Sequence, residues 1–262
     1  MEAVALAGSQ IAQVSDGRSD VDLYVYCHAP IGLELRRGVA SPSRHSEIGN
    51  EFWEPGDEWV DSETGISVDV MFREVKWIEE RLEDVLMRHR ASVGYSTCFW
   101  YNVRNSRLLF DRSGWFARLN KRSEQPYPAE LKRAVIAKNL PILRRNLSSY
   151  SHQIELAIAR KDSVSVQHRT TALLASYFDI LFAVNEQPHP GEKRLVDRCQ
   201  SLCEKLPSNF PVSVESLLKC VGSDDQQVLN RVRELVDGLE SLLRVEGLDP
   251  VNHAAQVPPL SD

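Results

Sequence analysis

Three aspartates, a serine and a glycine carry the chemistry that can be read from this chain. Asp20 and Asp22 stand two apart in an apolar stretch that continues Leu23-Tyr24-Val25-Tyr26. Alternation along a strand turns both carboxylates to one face and Val21 and Leu23 to the other. Like charges side by side repel unless a cation joins them, and hard carboxylate oxygens suit Mg²⁺, which keeps waters and takes substrate phosphates as further ligands. Upstream, Gly8-Ser9 ends the apolar run Ala3-Val4-Ala5-Leu6-Ala7. Gly8 has no Cβ to hold a phosphate away from the backbone, and the Ser9 hydroxyl and the N–H groups after it can donate to phosphate oxygens. Asp69 lies on a third stretch, Ile66-Ser67-Val68-Asp69-Val70-Met71-Phe72, facing away from Val68 and Val70. If that strand pairs beside the Asp20 strand, three carboxylates converge, as two-metal phosphoryl or nucleotidyl transfer requires.

No piece of this is specific alone, since Ser-Asp-Gly-Arg-Ser-Asp is also ordinary turn chemistry. The ordered set is what resembles a known signature: a strand, Gly-Ser, ten residues, Asp-Val-Asp, then a later apolar-Asp-apolar strand. Over roughly residues 3 to 72 it is similar to the DNA polymerase β nucleotidyltransferase superfamily. Leu181-Phe182-Ala183-Val184-Asn185-Glu186 and Pro190-Gly191-Glu192-Lys193-Arg194 resemble the helical half of its small two-domain members, the antibiotic (kanamycin/streptomycin) nucleotidyltransferase-like group. The chain departs from the superfamily's pattern in entering its first strand without a preceding helix, which leaves the packing of one sheet face open.

The resemblance implies a Mg²⁺-dependent enzyme that moves a nucleoside monophosphate, AMP from ATP or its counterpart from another nucleoside triphosphate, to an acceptor hydroxyl and releases pyrophosphate. Asp20, Asp22 and Asp69 would be the catalytic, metal-holding acids, with Asp69 either a ligand or the base that takes the acceptor proton. Gly8, Ser9 and Lys193 would bind the nucleotide, Lys193 reaching the triphosphate from the helical domain; read without the resemblance, Lys193 is an exposed helix lysine. The expected acceptor is a small molecule such as an aminoglycoside-like antibiotic, because an acidic groove suits a cation. A protein side chain or an RNA end is the alternative acceptor. A non-catalytic interaction protein that keeps the fold would tolerate loss of the acids, and all three are present.

The 262 residues carry a net charge of −6. Residues 1 to 72 hold thirteen acidic against four basic side chains, and the remainder carries a small excess of base. That division fits a metal-binding face and argues against gripping a nucleic-acid backbone. No apolar run approaches the roughly 18 residues of a membrane span, and Glu2 with no basic residue before the first apolar stretch is unlike a secretory signal, so a cytoplasmic location is expected. Five cysteines lack zinc-ligand spacing, and Cys199 and Cys203 read as buried small hydrophobes. A homodimer is left open.

The elements that must position these residues imply an α+β fold: a small mixed sheet of about four to five strands over residues 1–122 as the catalytic domain, a helical bundle over 123–248, and a disordered tail over 249–262. Residues 29–61 read as irregular, with a short helix near Ile31 to Arg37. Trp53 and Trp59 are expected as core aromatics, with stacking on a nucleobase the alternative, and Arg36, Arg37 and Arg44 as solvated. Arg73 to Arg90 has helical periodicity, Ser96 or Thr97 caps a short helix through Trp100, and Leu108-Leu109-Phe110 reads as a strand ending at Asp111. Helical segments follow from Pro128, with a kink or break at Pro141.

If Ser9 donates to the triphosphate, Ser9→Ala should bind nucleotide roughly ten- to a hundredfold more weakly and melt as the parent does. If Ser9 only caps a turn, the variant should lose about 1 kcal/mol of stability and bind nucleotide unchanged. Nucleotide titration beside a thermal melt separates the two.

Overall fold

The structure, a computed structural model, describes residues 1–8, 20–40, 45–223 and 225–249. The fold is α+β: among the described residues there are a six-stranded mixed sheet and ten helices. The chain divides into two compact units, one formed by Met1–Asp84 and Phe99–Gln125, the other by Val85–Cys98 and everything from Pro126 on. A single cut after residue 122 misses the Val85–Cys98 excursion, because no composition shift marks it.

In the first unit β1 (Ala3–Leu6) pairs antiparallel with β2 (Val21–Cys27), and β2 lies parallel to β5 (Ser67–Glu74). Parallel neighbours need a long crossover. Here it contains α1 (Leu33–Val39) and the hairpin of β3 (Ser46–Asn50) and β4 (Gly56–Val60), which continues the sheet beyond β5. With β6 (Arg107–Asp111) at the other edge the order is β3-β4-β5-β2-β1-β6. The stretch expected to be irregular therefore supplies two strands. Ser-Glu-Ile-Gly-Asn and Gly-Asp-Glu-Trp-Val lack the apolar alternation by which strands are found, because β3 is a largely solvated edge.

One sheet face buries Val25, Cys27 and Val70, with Leu23, Ile31, Trp59 and Phe72 against them. The other carries Tyr24 and Tyr26 under α2 (Val75–Leu86), α3 (Cys98–Asn105) and α4 (Trp115–Ser123). Tyr26 meets the rings of Trp115 and Phe116, each at 5.3 Å. The helix expected from Arg73 starts at Val75, and Arg73 is instead the buried seventh residue of β5. Its Nε and Nη2 donate to Glu54 Oε2 and Oε1 at 2.7 and 2.8 Å, and its guanidinium lies 3.8 Å from the Tyr24 ring centre.

Arg36, expected in solvent, is half-buried on the opposite face. Its Nε donates to Asp57 Oδ2 at 2.8 Å, its Nη2 to the Gly56 carbonyl at 3.0 Å, and it stacks 4.1 Å over Phe72. Asp57 also accepts from Gly49 N at 2.8 Å. Trp59 is half-buried as expected, whereas Trp53 is 94% exposed at the hairpin tip, too far out on the turn to reach a core.

The second unit is built on α7 (Ser163–Val184), whose Leu173, Tyr177, Ile180, Leu181 and Phe182 are buried against α5 (Ala129–Arg144), α6 (Tyr150–Ala159), α8 (Leu195–Leu202), α9 (Val212–Cys220) and α10 (Asp225–Val245). Pro141 lies in the last turn of α5 without breaking it. Arg144 pairs with Asp237 and Glu240, and Arg145 with Glu240 and Asp249. Asp249, assigned from sequence to a disordered tail, is thus buried by an ion pair, and residues 250–262 lie outside the described residues. Cys199 and Cys203 are buried thiols. Among the described residues no helix is long and apolar enough to cross a membrane.

Breaking a buried ion pair strands the surviving charge. Asp57→Ala should therefore cost about 3 kcal/mol in urea unfolding, and Arg36→Met added to it should recover part of that loss.

Candidate active site

The parallel register of β2 and β5 sets Asp22 directly opposite Asp69, and the antiparallel register of β4 and β5 sets Glu58 opposite Asp69 on its other side. Side chains opposite one another share a face. Three neighbouring strands thus present Glu58, Asp69 and Asp22 as a row, and Asp20, exposed one residue before β2, precedes Asp22 by the two residues that return it to the same face. Glu58 was not singled out from sequence, because β4 itself was not. Its only signal was the run of acids around Trp59.

The row bears on its central member. Partial burial, then the negative charges of Glu58, Asp22, Asp20 and Glu54, push the Asp69 carboxyl from 3.8 to about 6. No salt bridge joins Asp69 among the described residues. Among those residues no three His, Cys, Asp or Glu side chains close on one point as around a bound cation.

Gly8 adopts φ +68, and a Cβ there would overlap the Asp22 carboxylate, 2.6 Å from its Cγ. Ala7 N donates to the Asp22 carbonyl at 2.9 Å, which fixes that approach. The space over Gly8, expected to admit a phosphate, is thus taken by the Asp22 side chain. Ser9 lies outside the described residues. Asp111 ends β6, where its Oδ2 accepts from Ala117 N at 2.9 Å.

The second unit holds a buried polar cluster that sequence reasoning missed. Ser96 N and Oγ donate to Asp179 at 3.0 and 2.6 Å, and Asn139 Nδ2 donates to it at 3.2 Å. Burial raises Asp179 to about 6 against these donors. His189 N donates to Thr97 Oγ1 at 2.7 Å. Ser96 and Thr97 are therefore not a free cap ahead of α3 but the anchor of the 92–98 loop. Gly191 N donates to His189 Nδ1 at 3.1 Å, so Nδ1 is an acceptor and the proton of the neutral ring sits on Nε2. Burial lowers His189 to about 4 and pushes the adjacent Cys98 thiol up to about 12. A thiol so hard to ionise is no nucleophile. The signal available was one acid, Asp179, inside the apolar run Tyr177-Phe178-Asp179-Ile180-Leu181. Lys193 belongs to this unit and is exposed in the turn ahead of α8. A cavity of about 450 Å³ beside Arg144, Ser149, His152 and Arg233 also lies here, but Arg144 is already committed to Asp237 and Glu240.

Residues 99–195 match a domain of unknown function, DUF4037. A nucleotidyltransferase-like protein from Exiguobacterium sibiricum 255-15 is similar in structure, with a TM-score of 0.42 and 12% sequence identity over 94% of this chain and 69% of that one. No curated protein matches the chain.

Asp69 holds its proton more tightly folded than unfolded, so its ionisation opposes folding. That cost is absent below about pH 4 and complete above about pH 6. In chelator, Asp69→Asn should melt above the parent at about pH 7.5, with the difference vanishing by about pH 4. Equal melting temperatures throughout would mean that the row does not penalise the charge.

Proposed function

We propose that the chain is a metal-dependent nucleotidyltransferase that moves a nucleoside monophosphate, AMP from ATP, to a hydroxyl of a small cationic acceptor. The observation that carries this reading is the in-register juxtaposition of Asp22 and Asp69 on parallel neighbouring strands, with Asp20 on the same face.

The donor set fits Mg²⁺: its members are all hard carboxylate oxygens, and Asp69 sits where anionic neighbours raise its pKa and a cation would lower it. Asp20 and Asp22 would hold the metal, with Asp69 as a further ligand or as the base. Bound there, divalent metal would supply charge neutralisation at the triphosphate. The chain's own part is to orient the acceptor and take its proton. As the acceptor oxygen bonds to the α-phosphorus, the bond to the bridging oxygen breaks, pyrophosphate leaves with that electron pair, and the acceptor proton passes to Asp69. Gly8 leaves room for the Asp22 carboxylate beside the start of the segment assigned to phosphate binding. For Lys193 and Ser9 the support is the resemblance of their sequence segments.

Incubation with labelled ATP, Mg²⁺ and a panel of amino-sugar acceptors tests the proposal. Asp22→Asn should abolish label transfer while the fold melts cooperatively, and chelator should abolish it in the parent. Equal transfer in chelator, or by Asp22→Asn, would overturn the mechanism. Loss of cooperative melting in the variant would make Asp22 structural.

A further inference from the structure

The small excess of base outside residues 1–72 is concentrated around β6. Residues 104 to 122 hold six basic side chains and a single acid, Asp111, whose carboxylate is held by Ala117 N. Asn120 of α4 donates to the carbonyls of Val103 and Arg104 at 2.7 and 3.2 Å, and Arg118 Nη1 donates to the Ser113 carbonyl at 3.1 Å. The end of α3, the turn after β6 and α4 thus lie against one another. Lys121 pairs with Glu124. Arg104, Arg107, Arg112, Arg118 and Arg122 are exposed, and among the described residues none of them makes an ion pair. Glu2 feels the charge of Arg112, but that carboxylate is buried and accepts from Ser113.

Between these arginines β6 presents apolar side chains. Val4 of β1 stands opposite Phe110 and Ala5 opposite Leu108, so Leu109 is an extra residue, a bulge. The bulge breaks the alternation, and Leu108, Leu109 and Phe110 are 38, 50 and 41% exposed in succession. An apolar strip rimmed by polar groups marks an interaction surface. A bulged edge is a poor template for an added strand, which argues against an extended peptide as the partner. A nucleic-acid backbone would engage the arginines and leave the leucines without contacts. A lipid surface uses both: headgroup phosphates take the guanidinium groups, and leucine and phenylalanine enter the boundary beneath them. The acids of the β3–β4 hairpin do not cancel this attraction. Edge strand β3 stands at the far side of the sheet, about 24 Å from β6 at ordinary strand spacing and roughly three Debye lengths at physiological salt.

We propose that β6 and α4 dock the first unit on the surface of an anionic phospholipid bilayer, with the arginines on headgroup phosphates and Leu108, Leu109 and Phe110 in the interface. This surface does not depend on the reaction proposed above.

Co-sedimentation of the full chain with phosphatidylcholine vesicles, with and without about 30% phosphatidylserine, tests the proposal. Binding should require the anionic lipid and weaken as salt rises. Arg107→Gln with Arg122→Gln removes two of the unpaired charges and should weaken binding about ten- to thirtyfold. Leu109→Gln, which leaves the charge unchanged, should weaken it about three- to tenfold. Lys138→Gln with Arg233→Gln, which removes two exposed charges from the second unit, should stay within about threefold of the parent. All three variants should melt as the parent does. No binding to anionic vesicles, equal loss in the two charge-removing variants, or binding unchanged in Leu109→Gln overturns the proposal. So does a single-stranded RNA oligonucleotide that binds where vesicles do not, which would assign the arginines to nucleic acid. Light scattering that shows a dimer dissolved by Leu109→Gln also overturns it, since the apolar strip would then face a second copy.

Discussion

Parallel pairing of β2 with β5 is the constraint on which the first unit depends. It sets two aspartates side by side, Asp22 against Asp69, an arrangement that costs stability in any sheet. It also obliges the chain to leave one strand and return alongside it. The crossover does this with α1 and a hairpin that widens the sheet, and the hairpin brings in Glu58 as a third carboxylate opposite Asp69. One topological requirement therefore produces both the acidic row and the aromatic tip beside it.

Two arginines hold that hairpin, one on each face. Arg36 takes Asp57 and stacks on Phe72; Arg73 takes Glu54 and stacks on Tyr24. A planar guanidinium suits both tasks, since its edge meets the carboxylate and its flat face covers the ring. The acids of this region thus divide by role. Asp57 and Glu54 are compensated by arginine and hold the structure, while Asp69 has no such compensation among the described residues and is pushed toward neutrality by its neighbours. Stability given up at one point of a sheet and recovered around it is the usual signature of a working site.

The second unit buries a polar cluster of its own, around the Asp179 carboxyl. Asp179 accepts from Ser96 and Asn139, and Thr97 accepts from His189 N, which ties the 92–98 loop to α5, α7 and the segment at His189. Burial holds the His189 ring neutral and the Cys98 thiol protonated.

Much of this was legible in the residues alone. Short apolar runs identify β1 and β6, apolar stretches with aspartates set into them identify β2 and β5, three- and four-residue spacing identifies the bundle, and the spacing of Asp20, Asp22 and Asp69 marks them as acids on strands. These patterns are local, and burial on one side of an element writes them directly into the chain. Glu58, Arg36, Arg73 and Asp179 were not legible, because each is placed by a partner 11 to 83 residues away. An arginine in solvent and an arginine locked on a buried carboxylate have the same sequence neighbours. Sequence by itself determined which residues could lie on a strand or helix and on which face. Only the tertiary structure decided which strands are neighbours, and strand adjacency turns scattered acids into a row whose members feel one another's charge.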